Sequence, residues 1–230
     1  MDGNIAYSAT PDHDDVRAMR ELWCGEIGVD AAEIACVHQV HGTEVAAVSD
    51  SHAGRNGAPS QLVVGKADAL VSNDSGVVLM TIHADCMPIL LHDRGTGAVG
   101  TVHAGWRGTV ADVAGAAVRA MTVEYGGRPS DIVAFLGPAI GACCYAVGDE
   151  VVAGWRGQTG GGGAALVLQD DAQARFDLTA ANRHLLQRAG LADEAIEEAR
   201  ICTKCGGEAW FSHRGQGPGT GRFGAIIAKR

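Results

Sequence analysis

Aromatic residues are scarce in this chain, at 5% of 230 residues, as are prolines, of which there are six. Positive charge is also short, with 18 Lys and Arg against 27 Asp and Glu. The resulting net charge of −9 repels a phosphate backbone, and no stretch gathers basic residues into a stripe, so nucleic acid is excluded as a partner. Long hydrophobic runs are missing as well. The longest, from Val77 to Leu91, is interrupted by His83, Asp85 and Pro88 and is too short and polar to span a bilayer, so no membrane role is read. The start, MDGNIAYSATPDHDD, has no positive segment followed by an apolar one, so no secretory signal is read and the chain is expected in the cytoplasm. No Gly-x-Gly-x-x-Gly opens a βαβ unit, which argues against a doubly wound parallel sheet, and no repeat of solenoid length is present.

What is present is a globular composition, 47% apolar and 20% charged, over a length that suits one core; a single domain over 1–230 is the expectation. Seven cysteines outside a secretory context read as thiols. The adjacent Cys143 and Cys144 would close only a strained ring and read as packing, while Cys202 and Cys205 form a lone Cys-x-x-Cys.

Val16, Met19, Leu22, Trp23 and Ile27 recur at helical spacing and predict a helix over Asp12 to Gly28. Short β-rich runs follow at Ile34–Val37, Glu44–Val48, Ala69–Ser72, Val77–Ile82, Ile89–His92 and Ala98–His103, with a polar surface loop at Ser51–Ser60. A helix is predicted from Thr109, as N-cap, to about Tyr125, then a strand at Ile132–Leu136 and a helix from Asp149. The glycine run 160–163 predicts a mobile loop, Asp177 caps a helix closing at Gly190, Glu194–Ala199 reads as a short helical turn, and Ala225–Ala228 as a last strand. So irregular an alternation predicts a mixed α+β layered fold.

Three residues with soft or borderline donors stand at ends of predicted strands beside glycine or proline: His41 in VHQVHG, Cys86 in HADCMP and His103 in VHAGWRG. A thiolate with two imidazoles suits Zn²⁺, and three protein ligands leave a fourth position open, as in a catalytic site. Their spacing matches no local zinc motif. Arg107, just before the predicted helix at Thr109, suits an anion, and Arg214 and Arg222 in glycine-rich surroundings are further candidates. Asp85 precedes Cys86 and could orient a ligand histidine, and Gln39 could face the same cavity. His38 and His83 read as structural.

QVHG, ADALVSNDSGVVLMTIHADCMPILLHD, AVGTVHAGWRGT, FLGPAIGACCYAVGDEV and CTKC…WFSHRGQGPGTGR, in this order, closely resemble the purine nucleoside phosphorylase family once called multicopper polyphenol oxidases or laccase-domain proteins. The resemblance spans about residues 35 to 225. It implies an αββα layered sandwich and zinc on His41, Cys86 and His103. It also implies phosphorolysis of adenosine, inosine, guanosine and methylthioadenosine, with adenosine deamination as a second reaction, so that purine nucleosides and phosphate are the expected partners. Two departures stand out. The family's N-terminal strand and Thr-Arg-x-Gly-Gly-Val-Ser segment have no counterpart before Asn4-Ile5, and its Ser-Tyr-Arg-Arg is Ser212-His213-Arg214-Gly215 here.

Three other functions use the same residues. A copper polyphenol oxidase would need many more histidines, in His-x-His pairs, than the nine present, none so paired. A metal-free hydrolase would use Cys86 as nucleophile and His103 as base. A binding module would sense a nucleoside without turning it over.

Overall fold

The computed structural model describes residues 3–59, 61–160, 167–170 and 173–230. In chain order it runs α1 (His13–Glu26), β1 (Ile34–Ala35), β2 (Val45–Ala47), β3 (Ala69–Ser72), β4 (Val78–His83), β5 (Met87–Asp93) and β6 (Val99–Ala104). There follow α2 (Trp106–Val110), α3 (Val113–Tyr125), β7 (Ile132–Leu136), α4 (Asp149–Thr159), β8 (Val167–Asp170), β9 (Gln173–Phe176), α5 (Leu178–Arg188), β10 (Ile196–Glu198), α6 (His213–Gln216) and β11 (Phe223–Ala228). Beyond Gly160, the glycine run expected as a loop lies outside the described residues.

Alternation along the strands explains the layering, because successive side chains point to opposite faces. In β4, Val78 and Met80 turn to one side, where they meet Met19 and Cys24 of α1, while Leu79 turns to the other and meets Leu70 and Val99. In β3, Leu70 faces that same inner layer, and Ala69 and Val71 face α3. The three-stranded sheet, β1-β4-β11, therefore lies between α1 and the six-stranded sheet, β10-β7-β5-β6-β3-β2, whose far face is covered by α3, α4 and α5. This is the mixed α+β, helix–sheet–sheet–helix sandwich. No helix among the described residues is long and apolar enough to cross a membrane.

Two elements differ from expectation. The helix predicted from Thr109 to Tyr125 is two helices, and Thr109 lies inside α2 rather than capping it. Asp112 breaks the run: it takes a left-handed conformation (φ 69°) and its side chain accepts from Gly115 N at 3.1 Å, so it is the N-cap of α3. A short polar side chain tolerates that conformation better than most. Glu194–Ala199, expected as a short helical turn, is helical only at its start, in the 3₁₀ turn Asp193–Ala195; from Ile196 it becomes β10, which pairs in parallel with β7 through Ile196↔Ala134. Tertiary pairing at a sheet edge there overrides the helical preference of Glu and Ala.

Candidate metal centre

The centre begins with a carboxylate that the motifs did not single out. Asp68 is fully buried directly ahead of β3. Its oxygens accept from the backbone N–H groups of Val40 (3.2 Å), His41 (2.9 Å) and Gly42 (2.6 Å), which fold the loop around His41. His41 itself is held at φ 60°, a left-handed conformation that is uncommon for a non-glycine residue. The same Asp68 Oδ1 lies 2.9 Å from His103 Nδ1 at the end of β6, so Nε2 is the nitrogen left to serve the centre. One buried carboxylate thus positions two of the three proposed donors, the arrangement by which a second layer of hydrogen bonds orients metal-binding histidines.

Cys86 arrives from the neighbouring strand. β5 and β6 run antiparallel with Pro88 opposite His103, which brings the residues before β5 beside the end of β6. The donor atoms of His41, Cys86 and His103 all lie within 4.8 Å of one another. Gly105 keeps the space open: a Cβ there would come within 2.9 Å of Cys86 Sγ and 3.1 Å of His41 Cδ2. The donor set fits a zinc ion, being one thiolate and two imidazoles that converge from three segments and leave one position for water or substrate.

Burial alone would raise the Cys86 thiol, but the charged His103 ring beside it and hydrogen bonds from His103 and His41 bring it down to about 6. For His103, burial opposes the charge, yet the Cys86 thiolate and Asp68 together raise it to about 9. In metal-free protein the pair is therefore thiolate and imidazolium between those values. Because thiolate is already dominant above about pH 6, alkylation of Cys86 by iodoacetamide in metal-free protein should level off by neutral pH. A rate that kept climbing toward pH 9, as for an ordinary thiol, would show that the ion pair does not form.

His83, expected as structural, is buried between the sheets: Nδ1 lies 3.1 Å from the Cys86 carbonyl oxygen and Nε2 2.8 Å from Thr81 Oγ1, which in turn lies 2.7 Å from Thr101 Oγ1. His38 takes part in a backbone bridge with Lys66.

The proposed donors line a cavity of about 700 Å³, together with Gln39, Asp85, Arg107, Arg214 and Arg222. That is within the size range of small-molecule sites. Arg107 does not precede a helix start at Thr109 but stands in the first turn of α2, with its guanidinium 4.4 Å above the Trp106 ring. Arg214 lies 5.2 Å from the Tyr145 ring centre and donates to Ala146 O at 2.9 Å. Arg222 donates to the carbonyl oxygens of Thr220 and Gly221, bracing its own loop. Gln39 is bonded to both backbone groups of Ile82, at 2.8 and 2.9 Å, and so ties the His41 segment to β4.

Asp85 does not orient a histidine. Its carboxylate accepts from Thr203 Oγ1 (2.6 Å), Ser212 Oγ (2.7 Å) and Arg214 N (2.6 Å), anchoring the C-terminal segment against the residue before Cys86. The signal that would have pointed to Asp68 is faint: an acid set directly before the wholly buried run Ala69–Ser72 must have partners. Arg20 was missed too. It is buried, donates to Ile5 O (2.9 Å) and Asn56 O (2.8 Å), lies over Tyr7 and reaches the cavity wall.

The family model for multi-copper polyphenol oxidoreductase laccase matches residues 2–230. Over 229 residues the chain is 34% identical to purine nucleoside phosphorylase YlmD of Geobacillus stearothermophilus, covering 99% of this chain and 83% of that one. It is also 34% identical to adenosine deaminase RL5 of an unknown prokaryotic organism over 239 residues, covering 100% and 90%. Among solved structures, the hypothetical protein YfiH of Bacillus licheniformis superposes with a TM-score of 0.94 at 28% identity, covering 99% of this chain and 86% of that one.

Proposed function

The chain belongs to the multi-copper polyphenol oxidoreductase laccase family, and from that premise we propose that it is a zinc-dependent purine nucleoside phosphorylase with adenosine deaminase activity. Its substrates in this reading are adenosine, inosine, guanosine and methylthioadenosine, with phosphate as the acceptor. The observation that carries the reading is the convergence of His41, Cys86 and His103 within 4.8 Å on the wall of a cavity that also holds Arg107 and Arg214. When bound, zinc supplies Lewis acidity at its open position. A nucleophilic Cys86 assisted by His103 would need no third donor, and the strained His41 backbone argues for a role that does. Copper chemistry of the multicopper type lacks its histidine set. Seven free thiols suit the reducing cytoplasm.

The chain's own residues divide the two reactions. Phosphorolysis places phosphate beside the ribose C1′, which requires fixed cations, and stacking of Arg107 on Trp106 and of Arg214 on Tyr145 restricts the swing of both guanidinium groups. Deamination at the purine C6 needs no phosphate. Arg107→Ala should therefore raise the KM for phosphate in inosine phosphorolysis by about 10-fold or more, the loss of a charge-assisted hydrogen bond of about 1.5–3 kcal/mol. Adenosine deamination, assayed without phosphate, should fall much less. Equal loss of both activities at unchanged metal content would move the anion site to Arg214 or Arg222.

A further inference from the structure

Outside the cavity, the four remaining half-buried or exposed thiols form a group of their own. Cys143 and Cys144 sit on the turn after β7, and Cys202 and Cys205 on the turn after β10, roughly 60 residues later. The adjacent pair expected as packing and the lone Cys-x-x-Cys are thus two halves of one cluster. All four sulfurs lie within 4.8 Å of one another, with Cys205 Sγ 3.4 Å from Cys143 Sγ and 3.2 Å from Cys144 Sγ.

We propose that Cys143, Cys144, Cys202 and Cys205 form a second, structural metal site that takes one Zn²⁺ ion. A tetrahedral four-sulfur site with bonds of about 2.3 Å has sulfur–sulfur edges of about 3.8 Å, close to the spacing found. The sulfurs stand too close together to enclose a multi-iron cluster, and four soft donors leave no open position, which makes the site closed and structural. The surroundings are built for thiolate: Gly141 N–H points at Cys202 Sγ (3.2 Å), and so does Cys205 N–H (3.4 Å). Gly141 also leaves room for the sulfurs, since a Cβ there would come within 3.2 Å of Cys202 Cβ and 3.3 Å of Cys143 Sγ. A single disulfide accounts for the cluster less well, because it would leave two of the four converging sulfurs without a role.

The ion would lock two loops that already meet. Ala139 N donates to Ile201 O (3.2 Å), and Thr203 N donates to Ala139 O (3.0 Å). From one of these loops Thr203 donates to Asp85, and Arg214, in α6, donates to both Asp85 and Ala146, the residue two after Cys144. The cluster therefore clamps the segments that bring Tyr145 and Arg214 to the cavity wall.

Two measurements test this independently of the catalytic centre. The Cys86→Ala/His103→Ala variant, purified without an affinity tag and without chelators, should retain one zinc per chain, and adding Cys202→Ser and Cys205→Ser should remove it. On the unaltered chain, stripped of metal under reducing conditions, iodoacetamide labelling of Cys143, Cys144, Cys202 and Cys205 should slow about 10-fold when Zn²⁺ is supplied at ten times its Kd. Cys24 and Cys36, which are buried, serve as controls. Equal labelling with and without Zn²⁺, or a Cys205 disulfide in natively purified protein with no metal bound at the four thiols, would overturn the proposal.

Discussion

Replacing Cys86 with alanine should remove the zinc proposed for the cavity and lower nucleoside turnover by about three powers of ten or more. The remaining donors are two imidazoles, and His41 is exposed on a loop. A methyl group supplies neither a ligand nor the negative charge that holds His103 protonated in the metal-free state. Lewis-acid stabilisation is worth several kcal/mol, and each 1.36 kcal/mol is about tenfold in rate. Metal analysis alongside inosine phosphorolysis and adenosine deamination checks the expectation, with circular dichroism to establish that the variant is folded. Undiminished zinc at that centre would sink the ligand assignment. Loss of activity in a wild-type sample alkylated at Cys86 with no metal ever bound would instead favour the nucleophile reading.

Asp68→Asn should be the most damaging change among residues that do not themselves touch the proposed ion. An amide presents a donor where the carboxylate now accepts from Val40, Gly42 or His103, so at least one buried N–H loses its partner. Hydrogen bonds to a charged group contribute about 1.5–3 kcal/mol each, and at this chain length a loss of about 2 kcal/mol lowers Tm by about 4–8 °C. Because His41 and His103 both depend on this carboxylate, zinc affinity should also fall, by about 10–100-fold. Calorimetry and a chelator competition separate the two effects. A lowered Tm with zinc affinity unchanged within about twofold would make Asp68 a support for the loop alone.

Much of the layering was legible because strand periodicity is a local signal. Ala69–Ser72 and Ile132–Leu136 carry their strands in their own side chains, and both are found at those bounds. The break at Asp112 was not legible, since an aspartate in the first turn of one helix has the same sequence surroundings as an aspartate capping the next; only the left-handed backbone tells them apart. β10 escaped because its partner, β7, is some 60 residues away, and isolated pairing of that kind leaves no mark on three residues. The centre shows the same division. His41, Cys86 and His103 stand out singly as soft donors at strand ends, and only the resemblance joins them, their separation in the chain being uninformative. Asp68 escaped because a single acid has no pattern, and its importance lies in contacts with Val40, His41, Gly42 and His103 that only folding creates. The four-thiol cluster was half visible: each pair was seen, and nothing in the sequence joined them.

The row of side chains between the sheets has a direction. A carbonyl oxygen only accepts, so the hydrogen between His83 and Cys86 O belongs to His83 Nδ1. Burial, with the charge on His103 adding to it, pushes His83 well below the usual histidine range, so the ring is neutral and Nε2 is a bare lone pair. Thr81 must then give its hydroxyl hydrogen to Nε2, which leaves its oxygen to accept from Thr101. Every hydrogen in the row points the same way, from β6 through β4 to the residue that bears the thiolate. These bond dipoles add head to tail, and their positive end faces Cys86. The fold thereby carries a fixed polarity across both sheets to the backbone of Cys86 with neutral groups alone.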